Sequence, residues 1–202
     1  MNGHETEVKF FVRDLKRAEL RLRELKAQLI QPRVHEVNLR FDSFNGDLRR
    51  DLKVLRLRKD TEAKFTFKGP SEAREDGVLR RREIEFTVSD FDAANQFLEA
   101  LGFIPVVFYE KFRTTYEIDG VHIMLDELPY GTFVEIEGED IRILRRVADT
   151  LGLHWGTMVK AGYHALFERV AGKFDLDVSQ LSFKALQSTH ITAEDLSIIP
   201  AD

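Results

Sequence analysis

The sequence predicts an α+β protein in which an eight-stranded antiparallel β-barrel carries helices packed on its outside. Three observations lead there. Eight segments alternate apolar and polar residues with the period of a strand. Four stretches beside them repeat apolar residues at three- and four-residue steps. Within the strands, charged residues take one parity and apolar residues the other. Helices with a single apolar stripe need an apolar surface to cover, and the apolar strand faces supply one. Eight strands closed on themselves leave no exposed edge, and the ionic faces then line a lumen.

The first strand, "ETEVKFFV", sets Glu5, Glu7 and Lys9 on one face and Thr6, Val8 and Phe10 on the other. A helix follows from Asp14, a plausible N-cap, to about Leu29, with Leu15, Ala18, Leu22, Leu25 and Leu29 in phase. "EVNLRFDS", "KVLRLRKD" and "AKFTFKG" are the next strands, with turn signals at Asn45-Gly46 and Lys68-Gly69-Pro70. "RREIEFTV" begins a second half after Asp76-Gly77, and a helix from about Asp90 to Leu101 ends at Gly102. "FYEKFRTTYEI", "VHIMLDEL" and "TFVEIEG" complete the strands, separated by Asp119-Gly120 and Tyr130-Gly131. Helices are expected over about Asp140–Leu151 and Thr157–Ala171. The order strand, helix, three strands therefore occurs twice, a weak internal duplication. Residues 1–172 form the expected tunnel domain. Residues 173–202 form a C-terminal extension without a clean period, either a docked element or partly disordered.

Composition narrows the function. The 202 residues are 43% hydrophobic, enough for a real core. The absence of cysteine excludes disulfides, thiolate zinc sites and cysteine nucleophiles. A net charge of −5 argues against general nucleic-acid binding, although residues 48–60 and 79–83 are locally basic. The chain opens on charge, and no apolar run approaches the roughly 20 residues of a membrane span, so a cytoplasmic protein without membrane contact is expected. The six histidines show no metal-ligand spacing.

The ionic parity set is Glu5, Glu7, Lys9, Arg56, Arg58, Lys64, Lys68, Arg81, Glu83, Glu85, Lys111, Arg113, Asp126, Glu135 and Glu137. An antiparallel sheet with one wet face produces the same alternation. Inside a lumen, however, so many ions must be hydrated, paired or bound to ligand. A polyanion bridged by a divalent metal satisfies both signs: carboxylates are hard oxygen ligands for Mg²⁺ or Mn²⁺, and Lys and Arg clamp phosphate.

Glu5-X-Glu7-X-Lys9, followed in order by "VLRLR", "FTFKGP", "RREIEF", "YEKFRTTYEIDG", "HIMLDEL" and "GTFVEIEG", resembles the CYTH superfamily. These are the triphosphate tunnel metalloenzymes, among them class IV adenylate cyclases, thiamine triphosphatases and inorganic triphosphatases. The resemblance spans about residues 4–170. It implies an eight-stranded tunnel with Glu5, Glu7, Asp126, Glu135 and Glu137 as ligands for Mg²⁺ or Mn²⁺. Lys9, Arg56, Arg58, Lys68, Lys111 and Arg113 would contact the triphosphate, with Lys111, Glu83 and Glu85 also serving as ion-pair partners. Lys68, or Lys160 in "MVKAGYHALF", would activate the nucleophile, although Ala161-Gly162 stand where relatives often carry a serine before the tyrosine matching Tyr163. A small-molecule triphosphate, and a second copy of the chain as in dimeric members, are the implied partners. Three functions stay open: a metal-dependent triphosphatase, a class IV adenylate cyclase making cyclic AMP and pyrophosphate from ATP, and a non-catalytic polyphosphate-binding module.

Overall fold

A computed structural model of the chain describes residues 2–70, 72–73 and 79–202, with the side chains of residues 2–5, 72–73 and 79–81 outside the description. The elements are β1 (Asn2–Val12), α1 (Leu15–Glu24), β2 (Gln28–Ser43), α2 (Asp47–Arg50), β3 (Val54–Lys59), β4 (Ala63–Lys68), β5 (Glu72–Ala73) and β6 (Leu79–Val88). They continue with α3 (Phe91–Ala100), β7 (Phe103–Ile118), β8 (Val121–Leu128), β9 (Gly131–Gly138), α4 (Ile141–Thr150), α5 (Tyr163–Ala171) and β10 (Gln180–Leu181). The expected Asp76-Gly77 turn lies outside the described residues.

All described strands belong to one sheet ordered β1-β9-β8-β7-β2-β3-β4-β6-β5. β1 pairs with β9 through Thr6–Val12 and with β6 through Asn2–Glu7, so the sheet is strongly curved and tunnel-like. The strand, helix, three-strand order recurs as β1-α1-β2-β3-β4 and β6-α3-β7-β8-β9. Corresponding strands of the two halves, β1 with β6 and β2 with β7, pair antiparallel. The expected count of eight strands needs correction among the described residues. β5 is a two-residue addition against β6, and β10 brings the tail parallel to β7.

Two helices are shorter than their periodicity predicts. α1 starts at the Asp14 cap, whose carboxylate accepts from the Arg17 amide at 3.0 Å. It ends where Lys26 takes φ 57°, a left-handed conformation that breaks the helical ladder, so Leu29 belongs to β2. α5 begins only at Tyr163, because the preceding segment is committed elsewhere: the Val159 amide donates to the Lys9 carbonyl at 2.8 Å. Residues 155–157 make one 3₁₀ turn instead.

The strand parity resolves as an apolar outside and an ionic inside. Val8, Phe10, Ile123, Leu125, Val134 and Ile136 are buried beneath Ala18 and Leu22 of α1 and Leu144, Val147 and Ala148 of α4. Phe41, Leu57 and Phe65 lie under Ala94 and Leu98 of α3. A third apolar cluster forms on the inner parity at one end, where Phe11, Tyr109, Leu128 and Phe133 meet Leu166, Phe167 and Val170 of α5. The tail docks on that cluster through Leu181, Leu186, Ile191 and Leu196. It is tied to β1 by the Ala201 amide on the Phe11 carbonyl and by the Asp202 carboxylate on the Arg13 and Asp14 amides.

Candidate active site

The sheet register assembles the site. Lys9 lies opposite Glu135 and Glu7 opposite Glu137 across β1 and β9. Arg113 faces Asp126 across β7 and β8, and Lys111 faces Glu36 across β7 and β2. Asp126 is fully buried and accepts four bonds, one on Oδ1 and three on Oδ2. Arg113 grips it as a fork, Nε to Oδ1 at 2.6 Å and Nη2 to Oδ2 at 2.6 Å. Lys111 Nζ adds a bond at 3.1 Å and the Tyr163 hydroxyl one at 2.6 Å. The same hydroxyl lies 2.9 Å from Glu135 Oε2, which also receives Arg113 Nη2 at 3.2 Å and faces Lys9 Nζ at 3.4 Å. The Tyr163 ring carries Lys9 Nζ at 4.3 Å and Lys111 Nζ at 5.0 Å from its centroid.

These charges hold one another ionised. Burial alone would raise the Glu135 carboxyl, but Lys9, Arg113 and Lys111 hold it well below the usual carboxylate range. Burial likewise works against the Lys9 ammonium, and Glu135, Glu7 and Asp126 overcome it, leaving Lys9 above the ordinary lysine value. Tyr163 is pushed well above the usual phenol range by burial and then by Asp126 and Glu135, so it stays a neutral donor.

The facing wall is built from β3, β4 and β6. Arg56 donates to the Tyr109 hydroxyl at 3.2 Å and to Thr66 Oγ1 at 3.2 Å, and Thr66 passes a bond to Glu85 at 3.0 Å. Arg58 lies 3.5 Å from Glu85, 3.7 Å from Asp60 and 3.9 Å from Glu36. Lys64 stands 3.5 Å from Glu85, and Lys68 pairs with Glu83 at 2.7 Å. The buried atoms Arg56 Nε, Arg58 Nε and Asn38 Oδ1 have no hydrogen-bond partner among the described residues. Asn38 Nδ2 donates to Glu36 at 2.9 Å, which fixes the amide and leaves its oxygen without a donor.

The structure thus brings Glu7, Lys9, Arg56, Arg58, Lys68, Lys111, Arg113, Asp126, Glu135 and Glu137 onto the inner side of the sheet. Glu5 precedes Glu7 at the same parity with Arg81 opposite, but both side chains lie outside the described residues. Lys160 is exposed in the segment before α5 and does not join the group. Tyr163, three residues further on, reaches in instead. Glu36 and Asn38, both fully buried, are further members of the site. Their signal is the alternation of Glu36, Asn38 and Arg40 with Val37, Leu39 and Phe41. Tyr163 and Tyr109 carry no such signal, since aromatic residues on an apolar helix or strand read as core. Among the described residues no three histidine, aspartate or glutamate side chains already form a metal-holding group. The donor chemistry nevertheless fits a hard cation: Glu7 and Glu135 interact directly, and Glu137 adjoins them in register.

A curved antiparallel sheet that gathers cations and carboxylates on its concave side defines a charged-tunnel protein. The chain belongs to the CYTH domain family, whose sequence signature matches residues 3–151. A proposed adenylate cyclase from Vibrio parahaemolyticus superposes with TM-score 0.72 at 21% identity, covering 83% of this chain and 99% of its own. The PH1819 protein of Pyrococcus horikoshii gives 0.67 at 26%, covering 81% and 98%. A proposed adenylyl cyclase from Hippeastrum, described as having a dominant triphosphatase activity, gives 0.61 at 20%, covering 81% and 95%. No protein of curated function matches the chain.

Proposed function

We propose that the chain is a divalent-metal-dependent triphosphatase acting on inorganic or small organic triphosphates held in a closed eight-stranded tunnel. The observation that carries this reading is the convergence of Lys9, Arg56, Arg58, Lys68, Lys111 and Arg113 with Glu7, Asp126, Glu135 and Glu137 on one concave surface. The pairing of β1 with both β6 and β9 supports the closed tunnel.

Phosphoryl transfer needs charge neutralisation at the non-bridging oxygens and in-line placement of the nucleophile. The cations supply the first, exchanging carboxylate partners for phosphate oxygens as substrate enters. Glu5, Glu7, Glu135 and Glu137 would hold Mg²⁺ or Mn²⁺, which supplies Lewis acidity and lowers the pKa of water. Asp126 would be a further ligand, and its bonds to Lys111, Arg113 and Tyr163 position those donors. Lys68, ion-paired to Glu83, suits a phosphate clamp that exchanges partners, and Lys160 lies too exposed to serve as the base. Water attacking the terminal phosphorus releases phosphate; a ribose 3′-hydroxyl attacking the α-phosphorus of ATP would instead give cyclic AMP.

The test is an assay with tripolyphosphate, thiamine triphosphate and ATP, each with Mg²⁺ or Mn²⁺, scoring phosphate release and cyclic AMP separately. Phosphate release is expected. Cyclic AMP as the main product would make the chain a cyclase, and binding without turnover under either metal would make it a polyphosphate-binding module. Glu7→Gln is expected to lower metal-dependent kcat by about 10²–10³-fold with an unchanged circular dichroism spectrum. Normal turnover in that variant would remove Glu7 from the metal site.

A further inference from the structure

Lys9, Arg56, Arg58, Lys64, Lys68, Lys111 and Arg113 each have a carboxylate partner within 4.0 Å. Arg40 does not. It sits on β2 at the inner parity, two residues beyond Asn38 and four beyond Glu36, both fully buried. Its register partner on β3 is Arg56. It is half-buried, and no hydrogen bond or ion pair joins its guanidinium to a described residue. Its electrostatic surroundings are Tyr109 and Glu168, with the guanidiniums of Arg49 and Arg56 opposing it. Glu168 is already engaged, 3.0 Å from Arg49 and 3.6 Å from His164.

A guanidinium withdrawn from water beside another guanidinium is unfavourable without an anion. The register partner of Arg40 shares the deficit: Arg56 Nε is buried and lacks a hydrogen-bond partner among the described residues. An unpartnered donor on Arg56 opposite a half-buried cation makes a polar subsite for an anion, distinct from the Asp126 cluster.

We propose that Arg40, with Arg56 beside it, holds the phosphate of a linear oligophosphate that lies nearest α5, and so sets a preference for chains of linked phosphates over a single phosphate. Four residues of β2 separate Arg40 from Glu36, the partner of Lys111. At a strand's rise this is about 13 Å, an interval that one orthophosphate cannot bridge. Arg40 is a specificity-determining residue here, and the assignment rests on the triphosphate reading of the tunnel.

The test compares wild type, Arg40→Met and Arg40→Lys by calorimetric titration with tripolyphosphate and with orthophosphate in Mg²⁺, alongside the melting temperature of the unliganded proteins. Arg40→Met is expected to weaken tripolyphosphate binding roughly 10- to 100-fold and to leave orthophosphate binding unchanged. It should also raise the unliganded Tm by about 2–4 °C, because a cation without a partner has been removed. Arg40→Lys keeps the charge and should recover part of the affinity. An unchanged tripolyphosphate Kd in Arg40→Met overturns the assignment. So does a lowered unliganded Tm or failure to fold, since Arg40 would then be a structural partner of Glu168. Wild-type protein that binds no tripolyphosphate overturns the tunnel reading, and this inference with it.

Discussion

The two walls of the charged interior are built from similar residues but held to different standards. On the wall formed by β1, β7, β8 and β9, Asp126 and Glu135 receive donors at 2.6 to 3.2 Å, with Lys9 standing at 3.4 Å. On the wall formed by β3, β4 and β6, Arg58 reaches three carboxylates only at 3.5 to 3.9 Å, and two arginine Nε atoms find no acceptor among the described residues. The Lys68–Glu83 pair at 2.7 Å is the tight exception. A charge-assisted bond of 2.6 Å holds its partners more tightly than a pair at 3.5 to 4.0 Å. The first wall is therefore the stiffer scaffold, even though Lys9, Lys111 and Arg113 on it belong to the proposed triphosphate site, and the second is the looser grip.

Breaking the scaffold should have the largest effect. Asp126→Ala leaves Lys111 and Arg113 buried without their shared carboxylate, and about 3–5 kcal/mol of unfolding free energy is expected to be lost. Urea denaturation measures this directly. A loss below about 1 kcal/mol would erase the distinction between the walls.

Arg58→Ala attacks the grip and should act on binding more than on stability. The expected result is a KM for tripolyphosphate raised about tenfold with kcat nearly kept, because uniform binding has been removed. The unfolding free energy should fall much less than for Asp126→Ala, since the ion pairs that Arg58 makes are long. A stability loss as large as that of Asp126→Ala would show that both walls are scaffold.

The same contrast explains what the sequence can and cannot reveal. Period-two parity in Lys9, Glu135 and Arg113 marks an ionic face, and burial of Phe10, Val134 and Ile136 beneath α1 and α4 follows from it. Parity cannot say which ions pair tightly, because that depends on register between strands far apart in the chain. Asp126 carries the mark of a metal ligand by residue type, but nothing in its own strand announces its partners Lys111 and Arg113 across β7 and Tyr163 in α5. Tyr163 is marked by the family resemblance but not by pattern: a helix stripe of Tyr163, Leu166, Phe167 and Val170 spells core, and only packing shows that its hydroxyl passes beyond the core. The periodicity overextends α1 because Leu29 continues the helical phase that Lys26 ends through its backbone conformation. The tail carries no period because hydrogen bonds to β7, β1 and α5 fix it, rather than a regular element.

Tyr163 offers the smallest and most discriminating perturbation of the scaffold. Its hydroxyl has one hydrogen and two carboxylate neighbours, at 2.6 and 2.9 Å. Tyr163 is pushed well above the usual phenol range, first by burial, so the hydroxyl keeps its one hydrogen and has two acceptors within reach. Tyr163→Phe removes that bond but keeps the ring beneath Lys9 and Lys111 and its edge-on packing against Phe133. Because Asp126 retains the Arg113 fork and Lys111, the expected cost is about 1 kcal/mol in urea denaturation. A cost matching Asp126→Ala would mean that the hydroxyl keeps two adjacent carboxylates together. No measurable cost would mean that the arginine fork alone orders this wall, with α5 contributing only its apolar face.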